Sequence, residues 1–232
     1  MATNEKNNAT DRRRFLTTLA SGAAAVSLAT LPSMNLHAEE HFVPGTDDDA
    51  DTWFNKVKGK HRIVFDTPKP HDMMPFAWSR VFLVTNAATG SPEKDCGVVV
   101  VLRHSAIGYA FESRLWEKYK FGELFEADDP KTKKPSTRNP FWMPAKDDFI
   151  IPGFGAIPIG INELQASGVM FCVCNAAMTV YSNILAGMNK MSADDVMKDL
   201  KSGLLPGVQI VPSGVWAVGR AQEHGCQYCF AG

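Results

Sequence analysis

Apolar residues in this chain fall into short continuous runs, and longer amphipathic stretches separate these runs. Residues 98–102, 169–174 and 208–211 form apolar runs, which are typical of strands buried on both faces of a parallel sheet. Residues 63–65 and 228–230 predict two shorter strands. The pattern therefore predicts a sheet of about five strands.

The stretches between these runs have the patterning and the terminal residues of helices. The predicted helices cover residues 73–88, 107–119, 176–188, 193–203 and 215–224. Strands that alternate with helices imply a parallel sheet whose crossover connections are right-handed. We therefore expect an α/β fold, a single layered domain of about five mostly parallel strands with helices on both faces of the sheet.

One long segment, residues 121–158, interrupts this alternation and contains six prolines. Structureless segments of this length are uncommon in compact domains and are often functional. The segment has too many aromatic residues for a solvated linker, namely Phe125, Phe141, Trp142, Phe149 and Phe154. We expect it to pack as a cover on the domain or on a neighbouring subunit. A lid and a structural embellishment both fit this pattern.

The N-terminus has the features of an export signal. Residues 12–16 read Arg-Arg-Arg-Phe-Leu, and an uncharged, weakly apolar stretch follows as far as Leu31. Arg-Arg-x-Phe-Leu fits the twin-arginine type of leader, which carries folded cargo. The apolar stretch is diluted by Gly, Ser and Thr and is shorter than the ~20 apolar residues of a membrane span, so we expect no stable anchor. The sequence predicts cleavage after Ala38 and a periplasmic protein.

The charge balance of the chain changes once the leader is set apart. The 232 residues include 24 basic and 25 acidic side chains, a net charge of −1. Removing residues 1–38 takes away four basic and two acidic residues, which leaves about −3. This balance gives no reason to expect nucleic acid or an acidic membrane surface as a partner. Residues 39–60 include an acidic run and predict a flexible, solvated arm, so the domain itself spans residues 61–232.

Three predicted strand ends carry polar or nucleophilic side chains, at residues 103–105, 174–175 and 212–214. Ligands of open parallel sheets bind beyond the carboxyl ends of the strands. A helix that begins there adds positive potential, which favours a thiolate. Cys174 is therefore the predicted nucleophile, and His104 is a candidate proton partner. A hydrogen-bonded histidine without a chemical role is the alternative for His104.

All five cysteines, Cys96, Cys172, Cys174, Cys226 and Cys229, lie beyond the predicted leader. In an oxidising compartment they can form disulfides, and their odd number leaves at least one thiol over. Cys172 and Cys174 share a strand face at about 6.5–7 Å, so a bridge between them needs a bend. Cys226 and Cys229 have the spacing of a redox motif but would point to opposite faces of a strand. Purely structural roles for all five stay open.

Cofactor motifs are missing from the sequence. It contains no haem-attachment motif and no glycine-rich phosphate loop after a strand, so we expect no cofactor. A metal site built from four thiolates, those of Cys172, Cys174, Cys226 and Cys229, is conceivable, although the first spacing is unusual for zinc.

Several stretches together resemble the DsrE/DsrF-like (YchN-like) superfamily. They are the strand run up to His104, residues 164–177 with the core Phe-Cys-Val-Cys-Asn-Ala-Ala, and the closing Arg-Ala-Gln-Glu-His-Gly at 220–225. The resemblance covers residues 61–230 outside the long segment. It implies a flavodoxin-like, parallel α/β fold and assembly into trimers or hexamers. In sulfur-relay members a strand-end cysteine accepts a persulfide, and the matching position is Cys174.

The leading hypothesis is an exported, periplasmic DsrE-like protein that handles sulfur or thiol redox chemistry, as a persulfide carrier or a sulfurtransferase-like protein. Cys174 would act with Cys172 as neighbouring or resolving thiol and His104 as polar partner. The expected partners are the twin-arginine export machinery, further copies of the chain and a small sulfur compound. The alternative is a non-enzymatic, homo-oligomeric periplasmic protein that binds a small molecule or metal under residues 121–158. The leader, the long segment and Cys172 distinguish this chain from the relay members.

Overall fold

Five parallel strands lie at the centre of the fold in the computed structural model, which describes residues 47–232. Residues 47–232 contain seven strands in all, which in chain order are β1 (His61–Thr67), β2 (Cys96–Leu102), β3 (Ile150–Ile151), β4 (Gly155–Ala156), β5 (Met170–Cys174), β6 (Val208–Val211) and β7 (Gln227–Phe230). β3 and β4 form a separate antiparallel hairpin, and the other five strands form one sheet in the order β6-β5-β2-β1-β7. The predicted leader, residues 1–38, lies outside the described residues.

Helices occupy both faces of this sheet. They are α1 (Asp47–Trp53), α2 (Met74–Ala88), α3 (Ser113–Tyr119), α4 (Phe121–Leu124), α5 (Ile161–Ala166), α6 (Asn175–Asn189), α7 (Ala193–Ser202) and α8 (Gly214–Glu223). The helix predicted over residues 107–119 is two pieces, a 3₁₀ helix at His104–Ala110 and α3, because Phe111 instead makes a β-bridge with Leu204. No helix within residues 47–232 is long and apolar enough to cross a lipid bilayer.

The alternation of side chains along each strand divides the core into two layers. Val98 and Val100 of β2 pack in a first layer together with α2 and α6. Val99 and Val101 pack in a second layer together with α1 and α8. All seven residues of β2 are buried, as expected for a strand covered on both faces. The predicted α/β fold class, with its layered, flavodoxin-like arrangement, is therefore confirmed.

The strand order creates a crevice between two neighbouring strands. The chain steps across the sheet from β1 to β2, β5 and β6, and then crosses to the opposite edge to form β7. α6, which follows β5, packs in the first layer, whereas α8, which follows β6, packs in the second. Connections that leave adjacent strands for opposite faces open a crevice at their carboxyl ends, which is where such sheets bind ligands. Cys174, the last residue of β5, lies at this crevice.

The prediction of a flexible arm over residues 39–60 is wrong for its second half. α1 is followed by a 3₁₀ helix at Phe54–Lys56, and both pack on the second layer. Trp53, Phe54 and Val57 are buried, and the ring of Phe54 lies 6.0 Å from that of Trp216 on α8. Burying these apolar side chains gains several kcal/mol, which outweighs the tendency of the acidic run to stay solvated. Residues 39–46 lie outside the described part of the chain.

Residues 121–158 pack against the domain rather than projecting as an open loop. They contain α4 and the β3–β4 hairpin, and Phe125, Phe141 and Phe149 are buried in the first layer. Phe141 stacks on Phe76 of α2 with ring centroids 4.1 Å apart and on Phe149 at 5.0 Å. Phe154, at the turn of the hairpin, is by contrast 81% exposed. The segment therefore extends the core at its base and exposes an apolar tip.

Candidate functional site

Four side chains from four adjacent strands form a polar row at the carboxyl edge of the sheet. They are Tyr228 of β7, Asp66 of β1, Arg103 immediately after β2, and Cys174 of β5. The parallel pairing ends at residues 102 and 173, so Arg103 and Cys174 are the next residues along two neighbouring strands. Besides the hydrogen bond to Asp66, charge at Cys174 contributes to raising the pKa of Arg103, so the two groups are close enough to interact. We call these four residues the polar row.

A two-point ion pair lies in the middle of the polar row. Arg103 Nε donates to Asp66 Oδ1 at 2.6 Å and Arg103 Nη2 donates to Asp66 Oδ2 at 2.9 Å. The Tyr228 hydroxyl donates to the same Oδ2 at 3.0 Å. The Asp66 side chain is only 5% exposed, and that of Arg103 is 27% exposed. Paired planar groups of this kind fix both distance and orientation, so the guanidinium has a defined position.

Electrostatics keep Arg103 charged in this position. The hydrogen bond to Asp66 raises the pKa of Arg103, and burial opposes this effect without reversing it. Burial, and then the hydrogen bond to Asp66, raise the pKa of Tyr228, so the phenol stays protonated and can donate. The polar row therefore contains a permanent cation that is close enough to Cys174 to interact with it.

Cys174 ends β5 and caps α6 at the same time. Its sulfur accepts a hydrogen bond from the Ala177 amide at 3.3 Å, the contact that a Ser or Asp N-cap would make. The Ala176 amide donates to the Pro212 carbonyl at 3.1 Å, which ties the start of α6 to the end of β6. Negative charge is favoured at a helix N-terminus, and the first turn of α6 has no acidic residue. Cys174 is 6% exposed, so a reagent reaches it only through the crevice.

The start of α8 closes the other side of the crevice. Ser213 caps α8 by accepting a hydrogen bond from the Trp216 amide at 3.1 Å. Gly214, the first residue of the helix, packs on the aliphatic stem of Arg103. A Cβ at this position would lie 2.8 Å from Cδ of Arg103 and closer still to its Cβ. Only glycine allows the helix to approach the arginine this closely.

His104 lies at the same edge but outside the polar row. Its backbone has a positive φ of 48°, the side chain is exposed, and Nδ1 is 3.3 Å from Ser105 Oγ. Its ring centroid is 6.3 Å from that of Tyr181 on α6. Among the described residues no hydrogen bond joins His104 to Cys174. The structure thus places Arg103, and not His104, in register with the thiol.

Cys172 is close to Cys174 along the chain but lies in a different environment. It is completely buried in the second layer, whereas Cys174 packs with the first. Both residues are paired in β5 two positions apart, but Cys174 at the strand end also caps α6 and contacts the first layer. Burial, and then the neighbouring Cys174, raise the pKa of the Cys172 thiol far above its ordinary value. In this conformation Cys172 is a neutral thiol without access to a reagent.

The Cys226 and Cys229 thiols lie on opposite sides of the sheet, which confirms the prediction from their spacing. Burial raises the pKa of Cys226 to about 11. Residues 47–232 contain all five cysteines, and each is a free thiol. Within the same residues no group of three or more His, Cys, Asp or Glu side chains is arranged to hold a metal ion. The conceivable four-thiolate site is therefore not formed.

A surface cavity of about 240 Å³ lies near the first residues of the long segment. It is lined by Lys118, Tyr119, Lys120, Glu123, Leu124, Met188 and Asn189. Its lining includes the C-terminal end of α6, whereas Cys174 is at the N-terminal end of this 15-residue helix, ~20 Å away. The cavity is therefore separate from the polar row.

Asp66 and Tyr228 are site residues that the sequence pattern did not reveal as such. Asp66 follows directly on the apolar run at residues 63–65, and a carboxylate at the end of a buried strand needs a partner. That signal points to a polar site at the end of β1. Neither the partner nor the role of Tyr228 is readable without the strand order, because residues 66, 103 and 228 are far apart along the chain.

Comparisons with known proteins add little to this picture. No family model matches the chain, and no curated protein matches it either. Among solved structures, MTH1491, a protein of unknown function from Methanobacterium thermoautotrophicum, is similar with a TM-score of 0.39 and 18% sequence identity. The match covers 74% of this chain and 99% of that one. A likeness this distant carries no conclusion about function.

Proposed function

We propose that this protein accepts and passes on sulfane sulfur through Cys174. The observation that supports the proposal is the position of this thiol, which caps α6 at the crevice between β5 and β6 and stands beside the fixed cation of Arg103. A helix N-terminus and a neighbouring cation are the surroundings in which protein thiols act as nucleophiles, and they also stabilise bound anions such as a persulfide.

The proposed reaction is an exchange at sulfur that needs no added oxidant. The Cys174 thiolate attacks the outer sulfur of a sulfane donor, and a new S–S bond forms while the donor S–S bond breaks. The leaving group departs with the electron pair, and Cys174 is left as a persulfide anion. Attack by an acceptor thiolate on the outer sulfur of this persulfide reverses the process and regenerates Cys174.

The other predicted site residues take secondary parts in this proposal. His104 is exposed at the same edge and is the available proton donor for a leaving thiolate. Cys172 can act as a resolving thiol only after β5 opens, because it is completely buried beneath α8. The transfer as proposed therefore depends on Cys174 alone.

The proposal includes export through the twin-arginine route, which rests on residues 12–16 of the sequence. Cell fractionation tests it. The protein should be periplasmic and should lack residues 1–38, and replacing Arg12 and Arg13 together with lysine should retain the full-length chain in the cytoplasm. A cytoplasmic wild-type protein with an intact N-terminus would contradict export without affecting the chemistry of Cys174.

Mass spectrometry of the protein after incubation with inorganic polysulfide or thiosulfate tests the sulfur chemistry. We expect one added sulfur atom on the peptide that contains Cys174, and its removal by a small thiol. Cys174→Ser should abolish the addition, and Cys229→Ser, which removes the least buried cysteine, should leave it unchanged. If Cys174 never carries added sulfur while the protein is folded, the proposal is wrong.

A further inference from the structure

Asp66 binds only one edge of the Arg103 guanidinium. Nε and Nη2 form this edge, and no acceptor among residues 47–232 forms a hydrogen bond with Nη1. Asp66 belongs to β1 and Cys174 to β5, which flank β2 on opposite sides. Besides the hydrogen bond to Asp66, charge at Cys174 contributes to raising the pKa of Arg103, so the thiol and the guanidinium are close enough to interact. The edge of the guanidinium that Asp66 leaves free is therefore available to a molecule bound near Cys174.

The position of this free edge is fixed from two sides. The buried Asp66 carboxylate holds two nitrogens, and Tyr228 in turn holds that carboxylate. Gly214 packs on the stem of the arginine from the side of α8. Arg103 is partly exposed, so its free nitrogen can exchange water for a ligand atom without unpacking the core. Pre-organisation of this kind lowers the cost of binding.

Few negative groups compete with a ligand at this point. The first turns of α6 and α8 contain no acidic residue. The charged or titratable groups of the site are Asp66, Tyr228, His104 and Cys174 itself, and Asp66 already has its partners. A negatively charged molecule in the crevice therefore meets a cation, two helix N-termini and no free carboxylate.

We infer that Arg103 is a specificity-determining residue that selects small sulfur compounds with an anionic group next to the sulfane sulfur, thiosulfate being the simplest. This inference rests on the proposed function and names its substrate class. Nη1 binds the anionic end, and the outer sulfur is then presented to Cys174. In the transfer from thiosulfate, the sulfur–sulfur bond breaks and sulfite leaves with the electron pair, its growing charge stabilised by the same guanidinium.

Two alkylating reagents that differ only in charge test the selection without any sulfur transfer. Iodoacetate is an anion and iodoacetamide is neutral, and both form the same thioether bond with Cys174. The measured quantity is the rate with iodoacetate divided by the rate with iodoacetamide, and in the wild-type protein we expect this ratio to be higher at Cys174 than at Cys229. Loss of the Arg103 cation should lower the ratio at Cys174 roughly tenfold, the size expected for a hydrogen bond to a charged group. The ratio at Cys229 should not change.

Two variants keep this test independent of folding problems. Arg103→Gln alone leaves the buried Asp66 carboxylate unpaired and is at risk of unfolding. The double variant Arg103→Gln, Asp66→Asn removes both charges and retains planar amides that can pair. Arg103→Lys keeps the charge and should preserve part of the preference for iodoacetate. Both variants are compared with wild type by circular dichroism before alkylation.

The outcomes separate this inference from the proposed function. An unchanged reagent ratio in the folded double variant overturns the role of Arg103, even if thiosulfate still modifies Cys174. A lowered ratio, together with loss of sulfur addition from thiosulfate but not from elemental sulfur, which is uncharged, supports it. If the double variant lowers the ratio but no sulfur donor modifies Cys174 even in the wild-type protein, the role of Arg103 in binding anions stands and the proposed sulfur chemistry is wrong.

Discussion

At the scale of single residues, the candidate site depends on one glycine as much as on its reactive groups. Gly214 lets the first turn of α8 lie directly on the stem of Arg103, so the cation, its carboxylate and the helix are packed together. Any side chain at position 214 must displace either the helix or the arginine. The site can thus be perturbed without removing a charged or nucleophilic group.

We expect Gly214→Ala to destabilise the protein by about 1–3 kcal/mol, the usual cost of overpacking a buried position. It should also slow the reaction of Cys174 with iodoacetate, because the displaced arginine no longer stands beside the thiol. Chemical denaturation and alkylation rates measure the two effects.

Gly219→Ala is the matched control, since the same helix carries Gly219 with open space where its Cβ would be. This variant should be neutral or stabilising by up to about 1 kcal/mol, because alanine is the better helix former. Equal effects of the two substitutions would show that Arg103 is not held by the packing of α8.

At the scale of elements, one carboxylate connects α7 to α3. Asp199 accepts hydrogen bonds from Lys118 Nζ at 2.6 Å, Arg114 Nη1 at 2.6 Å and the Tyr119 hydroxyl at 2.8 Å. Burial alone would raise the pKa of Asp199, but these three donors lower it to about 2. The connection between the two helices therefore requires that the Asp199 carboxyl group stay ionised.

The lowered pKa of Asp199 has a direct consequence for stability. A carboxyl group whose folded-state pKa lies below its unfolded value of about 4 stabilises the fold at pH values above 4, and this contribution is lost as the pH falls toward 2. We expect Asp199→Asn to lower the free energy of unfolding by about 1–2 kcal/mol at pH 7, since the half-exposed lysine and arginine are partly screened. The deficit should disappear near pH 2.

Urea denaturation over this pH range measures the difference between variant and wild type. Asp147→Asn, which changes an exposed carboxylate in the long segment, is the control and should differ from wild type by less than about 0.5 kcal/mol at every pH. A deficit for Asp199→Asn that stays constant with pH would contradict the ionic connection between α3 and α7.

At the scale of the whole molecule, exposed apolar side chains on two neighbouring elements form a surface patch. It is formed by Trp78, Val81 and Val84 on the outer side of α2 and by Ile150 and Phe154 on the hairpin. Arg80 of α2 donates to the carbonyl of residue 158, just after the hairpin, at 2.8 Å, so the two parts are neighbours. Contiguous apolar patches of a few hundred Å² are often interaction sites.

We propose that a second copy of the chain covers this patch. A stable protein interface buries ~800 Å² on each partner and is enriched in aromatic side chains, and the patch exposes Trp78 and Phe154. A two-fold axis would place the hairpin of each copy on α2 of the other, which closes the assembly. The sequence resemblance predicts trimers or hexamers, and the measured mass distinguishes these from a dimer.

Size-exclusion chromatography with light scattering should show a homo-oligomer for the wild-type protein. Phe154→Ser should shift it toward the monomer, because Phe154 is the most exposed aromatic ring of the patch. Val215→Ser removes an exposed apolar side chain on α8, outside the patch, and should leave the mass unchanged. A wild-type monomer at micromolar concentration would contradict the proposal.

Local periodicity of apolar residues was enough to predict the five strands of the sheet, most of the helices and the α/β class. It also made Cys174 a candidate, since a cysteine at a strand end before a helix is a local signal. It misjudged residues 47–57, where the acidic composition hid Trp53 and Phe54, whose burial depends on α8 far along the chain.

The groups around Cys174, by contrast, could not be predicted from the sequence. Strand order brings Asp66, Arg103 and Tyr228 into one row, and no local pattern encodes the order of strands that are separated by up to 162 residues. The same is true of the first and second layers, which separate Cys172 from Cys174 although only one residue lies between them. Local propensity acts over a few neighbours along the chain, whereas the hydrogen bonds and burial that define this site act across the sheet.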